Sequence, residues 1–163
     1  MIIRKAENRD AKRIVEMLSQ VLELHAEIRP DIFLSGTTKY NEEEIIKILN
    51  TENKLTYVAV GEDDIAVGYA MCILKNTFQN SNMNPFKILY IDDICVDWAA
   101  RGQHIGTQLF EYVKQQAKAL ECYEITLNVW EGNSAAAAFY NNMGMKPKRT
   151  EMELIIGEKN GVK

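Results

Sequence analysis

The chain has 163 residues, of which 47% are hydrophobic and 26% charged, with 19 basic against 23 acidic side chains and a formal charge of −4. A chain of this length is expected to form one domain over its whole length, 1–163, with a core that needs neither metal nor disulfide. The composition excludes wholesale disorder, a collagen-like repeat and a disulfide scaffold, and the acidic balance speaks against nucleic acid as a partner.

Cys72, Cys95 and Cys122 are odd in number, far apart and without CxxC spacing, so they read as small buried apolar residues. His25 and His104 are the only histidines and no HExxH occurs, so no metal site is expected. The N-terminal MIIRKAENRD turns charged at once, unlike a signal peptide, and the longest apolar stretch, around Ala66 to Leu74, is too short to cross a bilayer. A cytoplasmic protein with no membrane partner is the expectation.

Ile2 to Lys5 reads as a short first strand. Asp10 is the expected N-cap of a helix carried by Ile14, Val15, Leu18, Val21 and Leu22. From His25 to Thr38 the apolar period is lost around Pro30, which suggests a long loop or broken helix. Asn41 and three glutamates open a second helix with Ile45, Ile46, Ile48 and Leu49 on its inner face; acids in the first turn suit the helix dipole. Leu55–Val60 and Ile65–Leu74 read as a hairpin about a turn at Gly61–Asp64. Lys87–Val96 is a further strand, and Ile105, Leu109, Phe110, Val113, Ala117 and Leu120 mark the apolar face of a helix. Glu124–Trp130 is expected as a strand, Asn133 to Met143 as a capped helix ended by Gly144, and Arg149–Ile156 as a last strand before a polar tail. The order β, two helices, three strands, helix, strand, helix, strand is that of a mixed α/β sheet.

The unit from Ile91 to Leu109 holds the most chemical information. A strand runs into Arg101-Gly102-Gln103-His104-Ile105-Gly106 and then directly into a helix. Glycines at 102 and 106 permit a tight turn and a close approach of backbone to ligand. The free N–H groups of the first helical turn, with the helix dipole behind them, suit a phosphate or pyrophosphate. Arg101 and Thr107 can add side-chain contacts. The plain alternative is a turn that only joins strand to helix. The spacing is neither GxGxxG nor GxxxxGK[ST], which disfavours a dinucleotide fold or a nucleotide-triphosphate loop. Trp98, just ahead, is expected to pack beneath the loop.

A second segment follows one strand later: Asn133-x-x-Ala136-x-x-Phe139-Tyr140-x-x-x-Gly144-Met145. Together the two segments resemble the GNAT family of N-acetyltransferases, which carries an R/Q-x-x-G-x-G/A loop after its fourth strand and an N-x-x-A-x-x-x-Y-x-x-x-G-F/M helix after its fifth. One position departs, since His104 stands where the family usually has Gly. The resemblance implies a central mixed sheet of about six or seven strands flanked by about four helices, with the fourth and fifth strands splayed apart. It implies acetyl-CoA as co-substrate. The pyrophosphate would lie on the amides of Gly102, Gln103, His104, Ile105, Gly106 and Thr107, and the pantetheine arm along Ile94, Cys95 and Val96. Asn133 would reach the pantetheine or thiol end. Tyr140 would act as general acid on the departing thiolate; a phenol with a reference pKa of ~10 holds its proton at neutral pH.

An amine acceptor arrives protonated, so a base is needed. Asp92 and Asp93 are consecutive in a strand, and strand alternation puts them on opposite faces. Spermidine/spermine acetyltransferases look similar at this point, and their first acid matches Asp92, which is therefore the favoured ammonium anchor or water-mediated base. Each acid has a structural carboxylate as its alternative. Asp93, Glu27 and Phe33 are further substrate-side candidates, the latter two in the segment that walls the acceptor cleft in the family. The expected activity is direct acetyl transfer, in a ternary complex, to a primary amine, on a small molecule ahead of a protein lysine or N-terminus. A non-catalytic acyl-CoA sensor is the competing class, and a homodimer is expected by resemblance alone.

Overall fold

The computed structural model describes residues 1–158. Five strands form one sheet in chain order: β1 (Ile2–Lys5), β2 (Lys54–Val60), β3 (Ala66–Asn76), β4 (Lys87–Val96) and β5 (Glu124–Thr126). Four α-helices accompany it: α1 (Ala11–Ile28), α2 (Glu42–Leu49), α3 (Ile105–Ala119) and α4 (Ser134–Asn142). Neighbouring strands are antiparallel except β4 and β5. Those two are parallel because α3 carries the chain back across the sheet between them, as a parallel pair requires.

The sheet is covered on both faces, which is why β2, β3 and β4 carry long apolar runs. On one side Ile14, Met17 and Leu18 of α1 and Ile45 of α2 meet Val58 and Tyr69. On the other, Ile105, Leu109, Phe110 and Val113 of α3 meet Ala59, Ala70 and Leu89. Each aliphatic side chain fully buried this way contributes about 1.5–3 kcal/mol. The α3 approach is close at Gly68, where an added Cβ would stand 3.0 Å from Leu109 and 3.1 Å from the Cys95 carbonyl.

Several elements differ from the sequence expectation. α1 continues to Ile28, with Ala26 buried and Arg29 already extended at φ −133°; it is Pro30 that ends it, by excluding helical backbone at the preceding residue. Asp10 does not cap α1 with its side chain. Its buried carboxylate accepts instead from Glu7 N–H and from Arg4, at 2.8 Å each. Asn41 and Glu44 form the expected reciprocal cap of α2. β5 stops at Thr126, short of Trp130, and residues 149–156 form no strand among the described residues. The sheet therefore has five strands rather than six or seven. Pro147 removes a backbone donor just ahead of that last segment, which forms no strand pairing among the described residues. No helix among the described residues is long and apolar enough to cross a membrane.

Candidate active site

β4 does not alternate regularly. Ile91 pairs with Cys72 and Asp93 with Met71, so one residue, Asp92, is extra in the β4 ladder. This bulge shifts the side-chain phase. Leu89 and Ile91 belong to the α3 side before it, and Cys95 belongs to the α1 side after it. The expectation that the two acids oppose each other across the sheet is thus corrected: both look toward the segment between α1 and α2. Lys39 from that segment donates to Asp92 Oδ2 at 3.1 Å. Asp93 lies deeper. Its carboxyl is pushed up to about 7, chiefly by burial and further by Asp92, against the opposing effects of Lys39, Ile94 N–H and Tyr69. Below it the Tyr69 hydroxyl is fully buried without a well-formed hydrogen bond, and its own pKa is raised by burial and then by Asp93.

β4 and β5 pair only at Ile88–Glu124, Leu89–Ile125 and Tyr90–Thr126. Beyond Tyr90 they part, leaving the β5-facing side of Ile91 to Val96 without a strand partner, while Ile94, Cys95 and Val96 remain paired to β3 on the other side. Tyr140 of α4 stands at this gap, its ring held by Phe110 at 6.1 Å and Phe139 at 5.2 Å. Burial raises its phenol above the ordinary value, with Asp93 and Cys95 as the next causes, so its proton is retained and its charge is linked to that of Asp93. Asn133 caps α4 by accepting from Ala136 N–H at 3.2 Å. Cys95 is buried, its thiol pushed up to about 12 by burial and then by Asp93. It is not a nucleophile at neutral pH.

The loop between β4 and α3 surrounds a cleft of about 290 Å³ lined by Val96, Ala100 and residues 101, 102 and 104–107. Gly102 has φ +79°, a conformation that side chains rarely adopt. His104 enters the same left-handed region at φ 58° and ψ 21° without being glycine, and it is the residue from which α3 starts. The first intrahelical bond at this end is Gln108 N–H to His104 C=O. The N–H groups of Ile105, Gly106 and Thr107 are therefore without helical acceptors. The Ile105 side chain is core, so it serves the cleft through backbone alone. Gln103 is exposed. Arg101 turns back, its Nε donating to the Val96 carbonyl at 3.3 Å. Trp98 is 55% exposed, with Arg101 6.0 Å from its ring centroid, so it does not pack under the loop. Open helical amides, a roomy cleft and an unpaired strand side fit an elongated ligand with a phosphate end.

The outer wall is aromatic. Phe33 stacks on His25 at 5.1 Å and edge-on to Trp130 at 5.3 Å. Arg29 lies 6.0 Å from the Trp130 ring centroid and is held by Asp31 and Glu153. His25 is biased to its neutral form by burial and then by the charge of Lys39. Glu27 is exposed and forms no ion pair among the described residues.

A profile of the acetyltransferase (GNAT) family matches residues 18–145. The chain belongs to that family. It is 25% identical over 154 residues to a glucosamine 6-phosphate N-acetyltransferase of Arabidopsis thaliana, covering 92% of this chain and 93% of the relative. It is 31% identical over 114 residues to the peptidyl-lysine N-acetyltransferase YjaB of Salmonella typhimurium, covering 70% of this chain and 65% of that one. Among solved structures, a mutant of the BH1408 protein of Bacillus halodurans superimposes with a TM-score of 0.90 at 33% identity, over 96% of this chain and 99% of that chain. The protein is an N-acetyltransferase of the GNAT type.

Three residues of this acetyltransferase's cleft escaped sequence reasoning. Lys39 sits in a polar loop with no pattern around it, and its partner is 53 residues away. Tyr69 reads as one more apolar residue of β3. Trp130 reads as the end of a strand, whereas its ring meets Phe33 nearly a hundred residues earlier.

Proposed function

We propose that this enzyme transfers the acetyl group of acetyl-CoA to a primary amine of a small molecule, with Asp93 as base and Tyr140 as acid. The observation that carries the reading is the parting of β4 and β5 after Tyr90, with the Tyr140 ring fixed by Phe110 and Phe139 and Asp93 on the unpaired stretch of β4. Acetyl-CoA, when bound, supplies an activated thioester. The free amides of Ile105, Gly106 and Thr107 and the loop at Gly102, Gln103 and His104 would hold its pyrophosphate, and Arg101 joins them by leaving the Val96 carbonyl. Ile94, Cys95 and Val96 would offer their backbone to the pantetheine arm, with Asn133 at its thiol end.

Asp93, with a pKa of about 7, is matched to accept a proton from an ammonium near neutral pH, directly or through water. The amine then would form its C–N bond to the acetyl carbonyl as the C–S bond breaks; Tyr140 gives its phenolic proton to the leaving thiolate, and the proton shed by the acylated nitrogen goes to solvent, from which the phenol is restored. The raised thiol of Cys95 supports direct transfer over a covalent acyl-enzyme. Lys39 offsets one of the two carboxyls, and His25 favours its neutral form. The acceptor pocket thus carries between zero and one net negative charge near neutral pH, according to the state of Asp93, which suits a single ammonium better than a polyamine. Asp92 is in this reading the anchor of Lys39 rather than the base. Phe33 and Trp130 would pack the acceptor's apolar part.

A second reading, a lysine side chain of a protein as acceptor, is favoured by the 31% identity to YjaB, named for peptidyl-lysine. The deciding experiment is release of free thiol from acetyl-CoA with amino sugars, amino acids, polyamines and lysine peptides, with Tyr140→Phe as control. Turnover on one class that is lost in the variant supports the reading. Full activity in Tyr140→Phe overturns the acid assignment, and turnover on peptides alone selects the second acceptor.

A further inference from the structure

Lys39 carries an amine into the acceptor cleft. Its ammonium lies 3.1 Å from Asp92 Oδ2 and 5.4 Å from the centroid of the Tyr40 ring. A carboxylate together with an aromatic face is a cradle for an alkylammonium. Burial lowers the Lys39 pKa, but Asp92, and after it Tyr40 and Asp93, outweigh burial and hold it above the ordinary value. The side chain is 43% exposed, so this contact opens to the cleft rather than being sealed in the core. The loop that brings it is tied on both sides. Ser35 Oγ and Gly36 N–H donate to the Glu23 carboxylate of α1 at 2.6 Å each, and Tyr40 packs against the core that α1 and α2 form with the sheet. The other lysines with ion pairs among the described residues, Lys114 and Lys148, bind Glu111 and Glu124, outside the unpaired stretch of β4.

We propose that Lys39 is an internal acceptor: with no amine in the cleft, the enzyme acetylates Nζ of its own Lys39. The inference rests on the reading of the cleft under Proposed function. There the pyrophosphate lies at 102–107 and the pantetheine arm along Ile94 to Val96, so the thioester end comes to β4 at Asp92 and Asp93, where the Lys39 ammonium is held. The chemistry is that of an external amine. Asp93 takes a proton from the Lys39 ammonium, directly or through water. Nζ leaves Asp92 and forms a C–N bond to the acetyl carbonyl as the C–S bond breaks. Tyr140 gives its phenolic proton to the leaving thiolate, the acylated nitrogen sheds its extra proton to solvent, and the phenol is restored from solvent. An amine already held beside the thioester reacts as a unimolecular partner, which sets Lys39 apart from lysines that must arrive by diffusion. The product is a neutral amide that cannot pair with Asp92, so the acetylated cleft carries one more net negative charge. An external ammonium and the Lys39 ammonium need the same place, so each excludes the other.

The test incubates the full chain with deuterium-labelled acetyl-CoA and no amine, and reads the label on each lysine by peptide mass spectrometry. Thiol release with the amine panel is measured on the same preparation. The expected result is label at Lys39 ahead of every other lysine, gained at a first-order rate that does not depend on protein concentration. Tyr140→Phe should slow it at least about 10²-fold, and n-butylamine, the free counterpart of a lysine side chain, should suppress it in the wild type. Lys39→Arg keeps the cation and should lose this label without gaining another. Label that n-butylamine suppresses but Tyr140→Phe retains sustains the internal acceptor and removes only the acid assignment. The proposal is overturned by an unlabelled Lys39 in a preparation that turns over an external amine, a result that leaves the proposed function standing. It is overturned equally by label that neither Tyr140→Phe nor n-butylamine reduces, which is uncatalysed acetylation, and by a rate that rises with protein concentration, which is transfer between chains. No label and no turnover on any amine overturns both readings together.

Discussion

The ammonium of Lys39 lies 3.1 Å from Oδ2 of Asp92 and also acts on Asp93, whose carboxyl it holds lower than burial alone would. A loop residue between α1 and α2 therefore sets the titration of an acid on a central strand. Lys39→Ala removes that restraint. The acid limb of kcat/KM against pH is expected to move to higher pH, with the alkaline limb in place. An unmoved acid limb would mean that Asp93 is not the group whose ionisation the rate follows.

Asp93→Asn tests the base directly. Loss of a positioned general base costs about 10²–10⁴ in rate, and the pH dependence near 7 should vanish with it. Stability should move the other way. The folded pKa of about 7 stands above the ordinary carboxylate value of 3.8, so between those limits the native state binds the extra proton and stability falls as pH rises. At ~1.4 kcal/mol per unit the penalty at pH 8 is at most about 4 kcal/mol, reduced by relaxation around the charge. Asp93→Asn should melt higher than wild type at pH 8, and the gain should disappear near pH 4.

Tyr140→Phe keeps the ring between Phe110 and Phe139 and removes only the hydroxyl. kcat is expected to fall at least about 10²-fold with the KM for acetyl-CoA within about twofold. Thiol release under single turnover separates this from slow product release.

His104 is strained at the start of α3. A side chain in the left-handed region costs roughly 1–2 kcal/mol, which His104→Gly recovers less the entropy of a freer unfolded chain. A net gain of about 0.5–1 kcal/mol, a few degrees in Tm for a chain of this size, is expected in thermal melts. No gain would show that a contact of the imidazole offsets the strain.

The two motif segments were legible because their chemistry is local. A turn into a helix and a capped helix carrying a tyrosine are each contained in a dozen residues, and both lie where the sequence put them. The bulge at Asp92 was not legible. An inserted residue leaves the composition of a strand unchanged and alters only its phase, so strict alternation split two acids that share a face. Lys39 and Trp130 were hidden for a different reason: their partners are distant in the chain. Residues 149–156 illustrate the converse. Their strand-like pattern is real, but a strand needs a neighbour, and none pairs with them among the described residues.

The parting of β4 from β5 after Tyr90 has a cost for the empty protein. A sheet interrupted from within exposes carbonyls and amides that any extended peptide can recruit, and such openings seed misassembly. Acetyl-CoA, by lying along that interior border, would act as a folding ligand as well as a reactant. Enzyme kept saturated with it should resist heat-induced clumping at concentrations where the bare protein turns cloudy, in proportion to the logarithm of ligand added.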